Sequence, residues 1–159
     1  MLMDTQKRQE LEPPFAMLDR YYRALDRWDL ADLIDCFSDD ATYGHPFVKN
    51  WRPELKEPFV RGRDTIRRFL IEARKPQDST HRITGVGKLS LVADTEFLER
   101  GDYYFASVTG RTANLLASCC ALFQVDGENR IQRYAPHMGS PYYNLPTSQD
   151  YIAKYTPLM

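Results

Sequence analysis

The chain has 159 residues, 43% hydrophobic and 27% charged, which suits one domain around one core. A formal net charge of -1 excludes a global basic field for nucleic acid or an anionic membrane, and no apolar run approaches the length of a membrane span. Met1 to Pro14 is polar and charged, without the apolar core of a signal peptide, so a cytoplasmic protein is expected. Aromatic residues make up 13%, with ten Tyr, eight Phe and two Trp, a composition that fits a large apolar cavity or an aromatic interface. The three cysteines, Cys36, Cys119 and Cys120, lack the spacing of a disulfide framework. Cys119 and Cys120 adjoin in an apolar stretch and are expected on opposite faces of one strand, as small buried hydrophobes.

Residues 1–12 read as a loose leader. Pro13-Pro14 can open a first helix, in which Phe15, Leu18, Tyr22 and Leu25 recur at spacings of three and four and Tyr21 and Asp26 flank the stripe. Asp29 stands where an N-cap belongs for a second helix with Leu30, Leu33, Ile34 and Phe37 inward. Ser38-Asp39-Asp40 reads as a turn, Ala41 to Val48 as a strand, and Lys49 to Pro58 as a polar loop carrying one large aromatic, Trp51. A third helix follows Arg61-Gly62-Arg63-Asp64, with Ile66, Phe69, Leu70 and Ala73 inward, and ends at Lys75-Pro76-Gln77-Asp78. Four strands are expected near 80–92, 95–109, 113–125 and 130–138, separated by Ala93-Asp94, Gly110-Arg111 and Asp126-Gly127-Glu128-Asn129. Gly139 to Met159 reads as a tyrosine-bearing tail that packs on the body or on a second subunit. Helices segregated from a mostly antiparallel sheet mean an α+β fold, and a short helix layer on a curved sheet leaves a conical cavity.

The chemistry-bearing residues are few. Tyr43 and His45 lie two apart on a strand and therefore share a face. An imidazole exchanges protons near neutral pH, so His45 is the first candidate base, against a solvated histidine at a strand end. Tyr21 can donate to an oxygen on which charge develops, or can be a core tyrosine. His81 opens the strand after the third helix and is either a second acid/base or a structural histidine. Asp26 would fix a histidine's tautomer and raise its basicity if the two meet, and would do nothing as a surface residue. His137 is expected to be exposed. Arg61, Arg63, Arg67, Arg68, Arg74 and Lys75 read as a solvated helix face, because no Gly-rich cradle accompanies them. The histidines form no H-x-H or H-x-x-x-H pair, and no phosphate-loop, dinucleotide or G-x-S-x-G fingerprint occurs, so no metal and no cofactor are expected.

Three stretches together resemble the NTF2-like superfamily, and within it the SnoaL-like polyketide cyclases and the ketosteroid isomerases. They are Leu25-Asp26-Arg27-Trp28-Asp29-Leu30, Phe37-Ser38-Asp39-Asp40-Ala41-Thr42 and Gly62-Arg63-Asp64-Thr65-Ile66-Arg67-Arg68-Phe69. The resemblance implies an NTF2-like (cystatin-like) cone over residues 13–138, three N-terminal helices packed on a curved, mostly antiparallel sheet around an apolar cavity, and a homodimer formed through the sheet. It places Tyr21 at the oxyanion-hole tyrosine of the ketosteroid isomerases, His45 at their general-base aspartate (followed here too by proline, Pro46) and Phe69 at a pocket phenylalanine. Their second oxyanion donor has no counterpart, since that position falls near Ala121 in an apolar run. The scytalone dehydratase branch offers partial matches at Tyr43 and His81. The expected activity is therefore cofactor-independent acid/base catalysis of isomerisation, dehydration or ring closure on a small hydrophobic ligand. His45, Tyr21, His81 and Asp26 are the catalytic candidates, and Tyr43, Phe69, Trp51, Tyr22, Phe123 and Met138 the substrate-binding ones. A non-catalytic binding or scaffold domain, or the small subunit of a ring-hydroxylating oxygenase, is the alternative.

Overall fold

The structure is a computed structural model that describes residues 11–138 apart from 46, 57–58, 95–97 and 113–114, with backbone only for 112, 115–117, 137 and 138. The leader up to residue 10 and the expected tail over 139–159 lie outside the described residues. In chain order the elements are α1 (Pro13–Arg27), α2 (Leu30–Asp35), β1 (Phe37–Gly44), α3 (Val48–Trp51), β2 (Phe59–Arg61), α4 (Arg63–Phe69) continued by a π-turn (Leu70–Arg74), β3 (Ser79–Leu91), β4 (Gly101–Thr112), β5 (Leu115–Val125) and β6 (Ile131–Met138).

α1 begins on the expected prolines and buries Phe15, Leu18, Tyr21, Tyr22, Ala24 and Leu25. It ends where Trp28 turns left-handed (φ 54), its N–H returning to the carbonyls of Ala24 and Leu25. Asp29 then caps α2, its side chain accepting from the Asp32 N–H at 3.1 Å. Arg20 clamps the two helices by donating to Asp32 (2.9 Å) and Asp35 (2.9 Å).

The six strands form one sheet in the order β2-β1-β6-β5-β4-β3, in which only the β1–β6 pair is parallel. Register shifts between Phe37 and Thr42, between Ile83 and Gly85 and between Gln124 and Val125 bend it. Ser38-Asp39-Asp40, expected as a turn, belongs to β1 and spans the first of these irregularities. The expected loop over 49–58 contributes α3, and β2 follows it as a short edge strand.

α1 packs across β3 and β4, and α4 against β1 and β2. The space between helices and sheet is occupied by Tyr21, Tyr22, Tyr43, Phe37 and Phe69, each buried almost completely. Alternation along β5 is as expected, with Cys119 against this core and Cys120 in a separate cluster on the other sheet face. Phe105 and Leu122, paired across β4 and β5, join that outer cluster with Leu98, Tyr103 and Ala135 rather than lining the interior.

Buried tyrosines must place their hydroxyls, and these do so on each other. Tyr22 and Tyr134 bond at 2.9 Å, and Tyr21 and Tyr43 at 2.6 Å. Tyr22→Phe leaves the Tyr134 hydroxyl unpaired and should cost about 1–3 kcal/mol in urea unfolding, whereas the double change Tyr22→Phe/Tyr134→Phe removes both partners and should recover part of that loss. A double variant as unstable as the sum of the singles would contradict the pairing.

Candidate active site

Two histidines stand at the edges of the tyrosine cluster, and each is held differently. His45 follows β1, half-buried, with its ring 6.3 Å from Tyr43, 5.2 Å from Phe69 and 4.9 Å from Phe47. The strand expected to reach Val48 ends at Gly44, so His45 lies just beyond it, its ring near-parallel to that of Tyr43. Its Nδ1 accepts the Phe47 backbone N–H at 3.1 Å. The neutral ring therefore carries its proton on Nε2 and presents a donor there. Burial pushes its pKa down to about 3, with Arg74 and then His81 acting in the same direction.

His81 lies near the start of β3, opposite Gly110 of β4. Its Nδ1 meets Asp26 Oδ1 at 2.6 Å, and its backbone N–H donates to Asp26 Oδ2 at 2.8 Å. Asp26 is on the last turn of α1, and Ser79 also donates to its Oδ1, at 3.0 Å. Arg23 is 3.8 Å from the same carboxylate and donates to the His81 carbonyl. The imidazole stacks on Tyr22 with centroids 5.0 Å apart. A Cβ at Gly110 would approach its Cδ2 to 3.2 Å, so a side-chain-free residue makes room for the ring. Nδ1–H donating to a carboxylate leaves Nε2 with its lone pair, and that atom has no hydrogen-bond partner among the described residues. Burial holds His81 below the ordinary histidine value, partly offset by Asp26.

The other candidates fall into three places. Tyr43, Phe69 and Trp51 gather on the His45 side, Trp51 lying 5.8 Å from Phe69 and beneath the Arg52 guanidinium at 4.2 Å. Tyr21 and Tyr22 link the two sides. Burial raises the Tyr21 pKa and pushes Tyr43 up to about 12, so both stay protonated. Phe123 sits elsewhere, against Phe15 and Tyr104 at the far end of α1. Met138 ends β6 opposite Cys119, and its side chain, like that of His137, lies outside the described residues.

Tyr134 and Arg74 are among the residues of the site that were not singled out from the sequence. Tyr134 stacks on Tyr43 at 5.3 Å, completing the tyrosine cluster from β6, and its alternation with the inner face of that strand was the available signal. Arg74, assigned above to a solvated face, is 5% exposed. It stands four residues after Leu70, on the stripe of Ile66, Phe69 and Ala73, so a cation on an apolar stripe was legible. Arg63 is likewise no free surface charge, since it donates to the Phe37 carbonyl at 2.8 Å and pairs with Asp39 at 3.0 Å. No group of residues that could hold a metal ion occurs among the described residues.

A groove of about 630 Å³ on the sheet is lined by Lys88, Leu89, Tyr103, Tyr104 and Gln124, among others. It lies seven residues along β3 from His81, roughly 23 Å at about 3.3 Å per residue, and none of the catalytic candidates lines it. The polar candidates thus lie apart from this groove.

Acid should expose the strain of keeping His45 neutral. The unfolded chain takes up this proton near pH 6.5 and the folded one only near pH 3. Between those values the unfolded state binds more protons, so acidification lowers stability. His45→Gln removes this dependence, and urea unfolding between pH 6 and pH 4 should show a slope shallower by up to about 1.4 kcal/mol per pH unit. Superimposable slopes would contradict the assignment.

The SnoaL-like domain family matches residues 18–134. None of the curated proteins matches significantly. Among solved structures, a candidate ketosteroid isomerase from Kribbella flavida aligns with a TM-score of 0.56 and 16% identity, over 87% of this chain and 86% of that one. A canthaxanthin-binding orange carotenoid protein from Anabaena aligns with a TM-score of 0.55 and 20% identity, over 82% of this chain and 38% of that one. A computationally designed binder of 17-OHP aligns with a TM-score of 0.58 and 9% identity, over 81% and 92%. These identities speak for the fold alone, while the family match runs from within α1 to within β6 and includes His45 and His81. The chain is a member of the SnoaL-like domain family, within the NTF2-like superfamily.

Proposed function

We propose that this protein is a cofactor-independent acid/base enzyme acting on a small hydrophobic carbonyl compound, with His81 as the general base. The observation that carries the reading is the 2.6 Å contact between Asp26 Oδ1 and His81 Nδ1, which leaves the Nε2 lone pair available. In this reading Nε2 removes a proton from a carbon next to the carbonyl. Asp26 stabilises the imidazolium that forms, and keeps the ring in the required tautomer. His45, neutral and carrying its proton on Nε2, donates to the oxygen on which negative charge develops. Returning the proton to another carbon gives isomerisation. Loss of a leaving group gives dehydration, and attack by the enolate carbon gives ring closure.

The base thus moves from His45, favoured by the sequence, to His81. A ring whose Nδ1 is occupied by a backbone donor and whose Nε2 already holds a proton is suited to donating, not to abstracting. Tyr21 yields the direct oxyanion role for the same kind of reason. Its side chain is almost wholly buried, with the hydroxyl against that of Tyr43 at 2.6 Å, so it supports the site from behind. Phe47 and Trp51, both partly exposed, offer apolar surface on the His45 side, while the buried Phe69 and Tyr22 pack against the two imidazoles from within.

A second reading, a binding domain without turnover, is favoured by the burial of the four tyrosine hydroxyls in pairs. The two readings separate by experiment. Hydrophobic carbonyl compounds that raise the melting temperature identify ligands, since binding to the folded state alone stabilises it. Exchange of the ligand's α-protons in D₂O then reports proton abstraction directly. His81→Ala should slow that exchange by about 10²–10⁴-fold. Gly110→Ala, which crowds the ring without touching its partners, should slow it measurably with little loss of stability. The wild-type rate should fall on acidification with a midpoint below the ordinary histidine value of about 6.5, because only the neutral ring abstracts a proton. Ligands bound without exchange, or exchange unaffected by His81→Ala, would overturn the assignment.

A further inference from the structure

Among the described residues Arg74 is the only charged residue buried to this degree, and the chemistry above leaves it unused. No carboxylate pairs with it directly among the described residues. Burying a guanidinium without such a partner costs several kcal/mol, so its retention calls for a physical reason. The backbone delivers it deliberately. The turn Leu70–Arg74 is π-helical, closed by the Lys75 N–H donating to the Leu70 carbonyl at 2.7 Å, an irregularity frequent at functional sites. From there Nη1 donates to the Lys75 carbonyl at 2.9 Å, and Nη2 donates to Ser79 Oγ at 3.3 Å. Ser79 Oγ in turn donates a hydrogen bond to Asp26 Oδ1 at 3.0 Å, the oxygen that His81 Nδ1 meets.

We propose that Arg74 and Ser79 are positioning residues for His81, a relay in which the guanidinium orients the serine hydroxyl and the hydroxyl locks the Asp26 carboxylate against the imidazole. The inference rests on His81 being the base. The relay makes the carboxylate share its charge with Ser79, and it places a fixed cation one hydroxyl away from the Asp26–His81 pair. Both effects favour the neutral imidazole that proton abstraction needs. The other groups facing His81 are Tyr22, Arg23 and Asp26 from α1, with Gly110 opposite it on β4. Of these, Asp26 raises the imidazole's proton affinity, and Arg23 lowers it together with Arg74.

The test is a nuclear magnetic resonance titration of the His81 ring in the full chain, which needs no substrate and so is independent of turnover. Arg74→Met removes the cation, and Ser79→Ala removes the donor that draws charge from Asp26. Each should move the His81 titration to higher pH. Arg74→Lys keeps the charge and should titrate closer to wild type than Arg74→Met does. Urea unfolding of each variant separates this shift from a loss of stability, and Ser79→Ala carries the test should Arg74→Met fail to fold. Titration at the wild-type value in the folded Arg74→Met and Ser79→Ala variants, even with stability reduced, would overturn the relay. That result would leave the base assignment itself to the His81→Ala exchange measurement.

Discussion

A single carboxylate closes this molecule. Asp26, on the last turn of α1, receives the His81 backbone N–H, the His81 Nδ1 and the Ser79 hydroxyl, at 2.8, 2.6 and 3.0 Å. Hydrogen bonds to a charged acceptor are each worth about 1.5–3 kcal/mol, more than a neutral pair contributes. They tie the helix end to the first residues of the edge strand, across more than fifty residues of chain. The bond to Nδ1 also decides which nitrogen of His81 holds the proton. Architecture and proposed chemistry are thus consequences of one constraint, and a change at Asp26 disturbs both.

The two histidines illustrate how surroundings, not residue type, allocate roles. Each is kept neutral by burial, yet the neighbours of Nδ1 are opposite in kind: a backbone donor for His45, a carboxylate for His81. The first arrangement leaves a proton on Nε2 and the second leaves a lone pair. In the proposed reaction these become the donor and the acceptor. The aromatic cluster between them contributes rigidity, because four buried tyrosines bonded in pairs have few alternative arrangements.

The parts of the fold that depend on local pattern were legible in the sequence. The spacing of Phe15, Leu18, Tyr22 and Leu25 predicts α1, Asp29 predicts the cap of α2, and the alternation at Cys119 and Cys120 predicts two faces of β5. The α+β cone followed from element order. What depends on tertiary pairing was not legible. Ser38-Asp39-Asp40 has the composition of a turn, but parallel pairing of β1 with β6 extends it. Phe105 and Leu122 are as apolar as any inward residue, and only register places them on the outer face. At the site, the residue types were visible and the partnerships were not. Asp26 is expected to act through a histidine if the two meet, but the sequence does not say which histidine; the contact with His81 does. Arg74 was hidden by its basic neighbours, although its helical phase with Leu70 sets it apart from Arg67 and Arg68.

The account is tested most directly by the protonation pattern of the two imidazoles at neutral pH, read from the nitrogen-15 shifts and long-range proton couplings of the ring nitrogens. It predicts a proton on Nδ1 and a bare Nε2 for His81, with the reverse for His45. A His81 ring protonated on Nε2, or charged at pH 7, would contradict it.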